Sequence, residues 1–411
     1  MAESWLECST CARRQSLEAF GTCDGCASEG RTGVLEVGYR ALVDRDSSVL
    51  RTHERDGIWR WQSLLPTFDS SRAPISLGEG DTPLPKIGVR GAELWVKYEG
   101  KNPTHSFKDR FQSVAISAAV ALKKNRVVCQ STGNHGVAAA AYAARAGLQC
   151  VVLTHEEIPN AHVEAIRQFG GIPVTVPPAE RSRLLRKLVE DGWYPTTTHW
   201  PFPVSKPYGI EGYKTIAYEL AEQLGPEQAA AARVFVPVGG GDSLYGIYKG
   251  WRELEQLGAV SRIPRLYACQ PETAAPLAAA EARHASEVPV VEVQRSPALS
   301  IREPETGGHA LHALRASGGR ALAVADSEIM EAAVRLAQSG LSVDPASAAS
   351  VAGALGMVRR GQLQDRGPLV CILTASGARW PQPSGWQPTG PQLAVMSADV
   401  AYRAILAITQ P

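Results

Sequence analysis

The most informative stretch of this chain is Asn102-Pro103-Thr104-His105-Ser106-Phe107-Lys108-Asp109-Arg110. The Asn-Pro-Thr segment predicts a turn, and Ser106 can cap a helix that follows, so Lys108 is expected in the first helical turn. A helix N-terminus disfavours the cationic form of a lysine, and a lysine that acts as a nucleophile must be partly neutral. A surface lysine at a helix start is the alternative interpretation of this segment alone.

Two glycine-containing turns further along the chain are Ser131-Thr132-Gly133-Asn134-His135-Gly136 and Gly239-Gly240-Gly241-Asp242-Ser243. Each follows an apolar strand pattern and opens a helix pattern, which is also compatible with an ordinary strand-to-helix turn. The backbone N–H groups of the second turn suit a phosphate, although the carboxylate of Asp242 is unexpected there unless it points away. The amide of Asn134 can bond a ring oxygen, and Lys108 can form an imine with an aldehyde. The three parts together predict a pyridoxal phosphate site.

Short apolar segments alternate with helical patterns through most of the chain, which has 411 residues. The predicted strands are 92–98, 126–130, 149–153, 233–238, 264–269 and 369–373. The predicted helices include 110–124, 136–146 and 161–169. This alternation predicts an α/β fold with parallel sheets flanked by helices, and the length predicts two lobes.

A cysteine quartet precedes this pattern: Cys8, Cys11, Cys23 and Cys26 form Cys-x2-Cys…Cys-x2-Cys. This spacing is typical of two knuckles that close on one tetrahedral Zn²⁺ ion. Two disulfides are the alternative, which a reducing compartment disfavours. Four thiolates leave no open coordination position, so the predicted zinc is structural. The remaining cysteines, Cys129, Cys150, Cys269 and Cys371, are expected to be buried reduced thiols.

Bulk properties exclude several classes of partner. The net charge is +1, and the quartet segment has only Arg13, Arg14 and Arg31 as basic residues, so a nucleic-acid partner is not expected. No apolar run is long enough to span a bilayer, so no membrane role is expected. The acidic start, Met1 to Glu7, lacks a signal-peptide pattern. A cytoplasmic protein that acts on a small molecule is expected.

The lysine segment resembles the cofactor-lysine motif of threonine synthases, which belong to the fold-type II, tryptophan-synthase-β-like, pyridoxal phosphate enzymes. The resemblance covers about residues 76–380 and continues in Ser76-Leu77-Gly78-Glu79-Gly80-Asp81-Thr82-Pro83-Leu84, in residues 210–219 and in residues 343–349. It implies that Lys108 is the Schiff-base lysine and that the substrate is an amino acid. It also implies a two-lobed fold and a homodimer.

The resemblance implies roles for further residues. Asn134 would contact the phenolic oxygen of the cofactor, and Thr374 its pyridine nitrogen. The phosphate-binding residues would be Gly239, Gly240, Gly241, Asp242 and Ser243. Candidates for substrate binding are Ser131, Thr132, His135 and His105. Plain packing is the alternative for the two histidines.

The expected organisation has four parts. A zinc knuckle occupies residues 1–33. The resemblance implies a large cofactor-binding domain of residues 34–109 and 215–390, and a small mobile domain of residues 110–214. A C-terminal tail covers residues 391–411.

Several positions depart from the family pattern. His105 replaces a usual glycine, and Asp344 stands where the family often has glutamate. His135-Gly136 is closer to dehydratases and ammonia-lyases, and Ala375-Ser376-Gly377 replaces a common Gly-His-Gly. Conversion of O-phosphohomoserine to threonine and phosphate is therefore the first hypothesis. Elimination or replacement by a threonine or serine dehydratase, a diaminopropionate ammonia-lyase or a cysteate synthase stays open. A zinc-knuckle scaffold without catalysis is the competing class.

Overall fold

The computed structural model describes residues 4–19, 23–29, 33–50, 56–66, 74–131, 133–197, 207–363 and 367–380. Thr132 and the predicted tail, 391–411, lie outside the described residues. The strands are β1 Ser4–Cys8, β2 Arg14–Gln15, β3 Leu35–Tyr39, β4 Lys86–Val89, β5 Ala92–Tyr98, β6 Arg126–Gln130, β7 Gln149–Thr154, β8 Ile172–Thr175, β9 Tyr194–Pro195, β10 Arg233–Pro237, β11 Arg265–Pro271, β12 Arg320–Val324 and β13 Leu369–Leu373.

The helices are α1 Asp24–Ser28, α2 Arg40–Val43, α3 Lys108–Ala121, α4 Asn134–Ala146, α5 Asn160–Gln168, α6 Pro178–Glu190, α7 Pro207–Leu224, α8 Pro226–Ala231, α9 Asp242–Gln256, α10 Pro276–Ala282, α11 Gly308–Ala316, α12 Asp326–Gln338 and α13 Pro345–Arg359. Short 3₁₀ segments include Gly57–Leu64, Glu99–Lys101 and Leu299–Ile301. Each strand and helix predicted from the sequence is present, with small shifts at its ends.

Among the described residues, the largest sheet has six strands in the order β12-β11-β10-β13-β5-β4. All its neighbours are parallel except β4 and β5, which form an antiparallel hairpin. Strand β10 reads Arg-Val-Phe-Val-Pro and is buried along its whole length, as expected for a central parallel strand covered on both faces. Helices α7, α9 and α13 provide much of this cover.

A second sheet, within the part of the chain described at 126–195, has the order β8-β7-β6-β9 and is parallel throughout. Helix α4 packs against it with a nearly continuous run of buried alanines, whose small side chains allow close approach of helix and sheet. Helix α6 covers its other face through Leu185. Each of the two sheets is thus flanked by helices, in agreement with the predicted α/β architecture.

The N-terminal segment forms a small antiparallel sheet, β2-β1-β3, over the described residues. Strand β3 lies just beyond the predicted boundary at residue 33. It is anchored on helices α7 and α9, because the Tyr39 hydroxyl donates to Glu211 (2.7 Å) and the Lys249 ammonium donates to the Val37 carbonyl (2.6 Å). The cysteine segment is therefore attached to α7 and α9, two of the helices that cover the six-stranded sheet.

Candidate active site

One cavity of about 540 Å³ brings together residues from three regions of the sequence. Its lining includes Lys108, Ser131, Asn134, His135, Gly239, Gly240, Gly241, Asp242, Ser243 and Thr374. These residues lie at the carboxyl ends of β6, β10 and β13 and at the start of α3. In parallel α/β sheets this edge is where ligands bind, because loops and helix N-termini converge there.

Lys108 is the first residue of α3, as the sequence predicts for the first helical turn. The residue directly before the helix is Phe107, which makes no side-chain cap of its own. Ser106, one residue earlier, makes the predicted local bond: its hydroxyl accepts from the Lys108 backbone N–H at 3.4 Å, and its carbonyl accepts from Asp109 at 3.3 Å. The Lys108 amine lies 4.6 Å from the ring centre of Phe107 and 5.5 Å from that of Tyr213.

Burial lowers the pKa of Lys108 to about 8, because removal from water disfavours the ammonium form. The negative charges of Asp242 and Glu303 act in the opposite direction and limit the decrease. A substantial fraction of this amine is consequently neutral near physiological pH. Such a lysine can act as a nucleophile or as a base without a separate activating group.

The glycine turn leads from β10 into helix α9, which begins at Asp242. Gly241 has φ of +109°, and an added Cβ would lie 2.6 Å from the Ala310 Cβ, so only glycine fits. The turn is braced from the next loop: the Thr306 hydroxyl donates to the Gly239 carbonyl (2.6 Å), and the Gly307 N–H donates to the Gly240 carbonyl (2.9 Å). These bonds use the carbonyl groups, so the turn offers its N–H side to an anion.

The carboxylate of Asp242 has a partner that the sequence did not reveal. Asp242 Oδ1 lies 3.1 Å from Nε2 of His309, a buried residue on α11. His309 in turn packs edge-on against Tyr245, with ring centres 5.4 Å apart. This contact restrains the carboxylate at the edge of the glycine turn.

The Ser131 hydroxyl organises the second turn, because it accepts hydrogen bonds from the N–H groups of Gly133 (3.1 Å) and Gly136 (2.7 Å). Asn134 starts α4 and is buried at the cavity wall. His135 lines the cavity and packs edge-on against Phe111, with ring centres 4.6 Å apart. The predicted residues of this turn other than Thr132 therefore meet at one wall.

Thr374 follows β13 and is held by a buried hydroxyl. Its Oγ1 lies 2.9 Å from Oγ of Ser347, which also hydrogen-bonds the carboxylate of Asp344. Burial raises the pKa of Asp344 to about 6. Asp344 additionally caps α13 by accepting from the Ser347 backbone N–H (2.9 Å). The aspartate is thus compatible with the fold at a position where the family often has glutamate.

The structure does not bring His105 into the cavity. His105 is exposed and has φ of +63°, the left-handed region that a glycine adopts without strain. Its backbone N–H donates to the Asn102 carbonyl (2.8 Å), and its carbonyl accepts from Ser376 (3.0 Å). The turn geometry explains the usual glycine, and the predicted substrate role of His105 gains no support from its position.

No motif pointed to the cavity residues Arg181, Ser182, Thr197, Glu303 and Glu305, whereas Asp344, whose departure from the family pattern the sequence shows, also lines the cavity. Asp344 carries a local signal, since Asp-Pro-x-Ser predicts a capped helix start. Arg181 and Glu303 come from a helix and a loop with no motif around them. The Arg181 Nε is buried and has no hydrogen-bond partner within the described part of the chain.

The four N-terminal cysteines form a separate cluster. Their sulfur atoms all lie within 4.8 Å of one another, with Cys8–Cys26 and Cys11–Cys23 separations of 3.7 Å. All four are free thiols. Gly33 lies against the cluster, where a Cβ would approach the Cys8 sulfur to 2.6 Å. The donor set is the soft, tetrahedral type that suits Zn²⁺. The other cysteines, Cys129, Cys150, Cys269 and Cys371, are buried as predicted.

Comparison with known proteins agrees with this geometry. The threonine synthase of Methanosarcina acetivorans is 34% identical over 395 residues, which cover 92% of this chain and 92% of that protein. The threonine synthase of Methanocaldococcus jannaschii is 34% identical and covers 85% of this chain and 87% of that protein.

Solved structures agree at the level of the fold. A threonine deaminase from T.th. has a TM-score of 0.61 at 25% identity and covers 74% of this chain and 94% of that chain. Maize serine racemase has a TM-score of 0.60 at 20% identity and covers 79% of this chain and 92% of that chain. Residues 75–375 match the family described as pyridoxal-phosphate dependent enzyme, and this chain belongs to that family of enzymes, within its threonine synthase-like branch.

Proposed function

We propose that the protein converts O-phospho-L-homoserine into threonine and phosphate with pyridoxal phosphate held at Lys108. The observation that carries the proposal is the cavity, in which a lysine with a lowered pKa faces the glycine turn and the Asn134 turn. The threonine synthases named above, similar over most of the chain, support the choice of reaction. The bound cofactor supplies an aldehyde for the lysine and a ring that accepts electrons from the substrate.

Residues of this chain would divide the remaining tasks. Lys108 would attach the cofactor and, once displaced by the substrate amine, carry protons between neighbouring carbon atoms. The N–H groups of Gly239 to Ser243 would hold the cofactor phosphate. Asn134 would donate to the ring oxygen, and Thr374 would meet the pyridine nitrogen. Ser131, in the turn before α4, and His135, in its first turn, would bind the substrate carboxylate.

Arg181 would face the departing phosphate of the substrate. It reaches the cavity from α6, and its buried Nε has no hydrogen bond to the residues the structure describes. Burial lowers its pKa from the ordinary value, yet an arginine stays charged. A guanidinium is well suited to bind a phosphate dianion through paired N–H groups. Replacement by alanine should raise KM for a phosphorylated substrate while cofactor affinity is retained.

The test is a coupled measurement of phosphate release and threonine formation from O-phospho-L-homoserine by cofactor-loaded protein. Equal amounts of both products are expected. Cofactor-loaded protein that forms no threonine would contradict the proposal. Release of ammonia from serine, threonine or diaminopropionate would then identify a dehydratase or ammonia-lyase, and consumption of O-phosphoserine would identify a replacement reaction. Absence of lysine-bound cofactor would favour the scaffold hypothesis.

A structural Zn²⁺ is proposed at Cys8, Cys11, Cys23 and Cys26. Zn–S bonds of about 2.3 Å in a tetrahedron place sulfur atoms about 3.8 Å apart, close to the two separations of 3.7 Å. Four thiolates leave no position for water, so the ion would stabilise the fold and take no part in the reaction. Metal analysis of purified protein tests this assignment, with one zinc per chain expected.

The protein is further proposed to be a cytoplasmic homodimer with a mobile small domain at residues 110–214. Among the described helices, none has the length and apolar character needed to cross a membrane. Free thiols at every cysteine are consistent with a reducing compartment. Light scattering on the cofactor-loaded protein tests the dimer, and hydrogen exchange with and without substrate tests the mobility of this region.

A further inference from the structure

We propose that Trp380, His162 and Asn134 form a relay in which each side chain donates a hydrogen bond to the next, so that the Asn134 amide presents its N–H group to the cavity. The inference rests on the proposed binding of pyridoxal phosphate. It assigns positioning roles to His162 and Trp380, two residues that lie outside the cavity lining.

The first contact of the relay joins His162 to Asn134. Nε2 of His162 lies 3.2 Å from Oδ1 of Asn134, and both side chains are buried. Burial, followed by the nearby charge of Arg379, lowers the pKa of His162 to about 4. The imidazole is therefore neutral at physiological pH and has one N–H and one bare nitrogen. It also packs against the turn, because a Cβ on Gly133 would lie 3.3 Å from the ring.

The second contact determines which imidazole nitrogen carries the proton. The rings of His162 and Trp380 lie edge to face, with centres 5.1 Å apart. The His162 Nδ1 and the Trp380 Nε1 are both buried, and neither has a hydrogen-bond partner among the described residues. An indole N–H can only donate, and a bare imidazole nitrogen can accept, so a small rotation within this contact satisfies both atoms.

A donor at one end sets the direction of the whole relay. If Trp380 donates to Nδ1, the imidazole proton lies on Nε2 and is donated to Asn134 Oδ1. The Asn134 amide is then held with its oxygen inward and its nitrogen toward the cavity. This orientation of the Asn134 amide does not depend on telling its oxygen from its nitrogen by position, because the indole N–H can only donate and so fixes the donor in each later bond. The ionised ring oxygen of the cofactor would accept the exposed N–H.

The relay also joins the two sheets. Trp380 follows β13 of the six-stranded sheet, whereas His162 and Asn134 belong to α5 and α4, which pack on the four-stranded sheet. The orientation of Asn134, whose helix packs on the four-stranded sheet, would thus depend on Trp380, which follows a strand of the six-stranded sheet. A role confined to packing would require the shape of the His162 and Trp380 rings but not their N–H groups.

The experiment measures pyridoxal phosphate affinity and the ionisation of its ring oxygen, by absorption titration of the full-length apoprotein. His162→Leu is expected to weaken cofactor binding about 10-fold, because a hydrogen bond to a charged group loses its orientation. Its spectrum should shift toward the form with a protonated ring oxygen. His162→Gln keeps a donor and an acceptor and should remain within about 3-fold of wild type. Trp380→Phe, which retains the ring, should show a smaller loss of the same kind.

His312→Leu is the control, since this exposed histidine packs on Tyr248, neither residue lines the cavity, and the change should leave both readouts unchanged. Wild-type affinity and spectrum in His162→Leu would overturn the relay. Equal losses in folded His162→Leu and His162→Gln would also overturn it, because the role would then be packing. The binding measurements use no substrate. Protein that binds the cofactor but forms no threonine therefore contradicts the proposed reaction and not the relay.

Discussion

The chemistry proposed for this protein depends most on the environment of one amine. Lys108 sits where burial favours its neutral form, while Asp242 and Glu303 favour the ammonium. The balance leaves the pKa at about 8, so modest changes in nearby charge should move it across the physiological range. His309, which restrains the Asp242 carboxylate, therefore affects the lysine indirectly.

The rate at which apoprotein captures pyridoxal phosphate should rise with pH and level off above about 8, since only the neutral amine attacks the aldehyde. Asp242→Asn removes a charge that raises the pKa of Lys108, so its midpoint should move to lower pH. Stopped-flow absorption at a series of pH values measures both midpoints. Glu227→Gln replaces an exposed residue of α8; it is the control and should leave the midpoint unchanged. A midpoint that Asp242→Asn does not move would contradict this electrostatic account.

The junction of β10 and α9 is where backbone geometry and anion binding are most closely linked. The turn needs a residue with positive φ and without a side chain, because α11 packs directly against it. Several other glycines also have positive φ but face open space. A substitution at one of these other glycines therefore introduces backbone strain alone, and separates it from the clash at the start of α9.

Gly241→Ala should weaken pyridoxal phosphate binding by at least about 10-fold, because the added methyl group meets Ala310 and distorts the phosphate-binding turn. Gly258→Ala is the matched control. Gly258 has φ of +72° with nothing within 4 Å of an added Cβ, so its replacement by alanine introduces similar backbone strain without a clash. Absorption titration of both apoproteins makes the comparison. Similar affinities in the two variants would show that the turn tolerates the methyl group.

Helices α3 and α7 are joined by a buried ion cluster beneath the lysine. Arg110 on α3 donates two hydrogen bonds to Glu219 on α7, at 2.7 and 2.8 Å. It donates two more to Glu99, also at 2.7 and 2.8 Å. Lys97 donates to Glu219 at 2.5 Å. Burial alone would raise the pKa of Glu219, but the two cations outweigh it and lower the pKa to about 2. This carboxylate therefore contributes stability above its unfolded pKa of about 4.5.

Glu219→Gln should lower the free energy of unfolding by about 3 kcal/mol, because it leaves buried cations without a counter-charge. The contribution of Glu219 is lost as pH falls from about 4.5 toward 2, so the variant should lose less stability over that interval. Chemical denaturation at several pH values measures both effects. Glu222→Gln, one turn later and paired with Arg60 at the exposed surface, is the control, with a small effect expected. Equal stability of the two variants would contradict the role of the cluster.

The N-terminal cysteine segment is joined to the cofactor-binding part of the molecule through side chains of β3. Glu36 accepts from Tyr245 (3.0 Å) and Arg252 (2.7 Å) on α9, and Tyr39 donates to Glu211 on α7. Helix α9 carries the glycine turn at its N-terminus. Loss of the proposed metal should therefore affect the whole protein as well as the N-terminal segment.

Cys23→Ser should abolish zinc binding and lower the Tm on the order of 5 °C, since metal binding stabilises the folded segment and its contacts with α7 and α9. A strong chelator should lower the wild-type Tm in the same direction. Cys150→Ser replaces another buried cysteine outside the cluster and should retain the metal. Metal analysis and thermal unfolding provide the readouts. A Cys23→Ser protein with full zinc content would contradict the site.

The amino-acid sequence by itself determined features that depend on near neighbours along the chain. The strands and helices follow from short apolar runs and alanine-rich helix patterns, and Lys108 falls in a helical first turn. The glycine turns and the cysteine spacing are also local patterns. These motifs, with the resemblance they carry, identified the fold class and the cofactor before any distance was known.

Only the tertiary structure decided which distant side chains meet. His309 reaches Asp242 across 67 residues of sequence, and His162 reaches Asn134 across 28. Arg181 enters the cavity from a helix without a motif, whereas His105, inside the strongest motif, is turned out of it by a positive φ. Such contacts depend on how the two sheets and their helices pack. A sequence pattern records the local backbone preference of each residue but not the partner that packing places beside it.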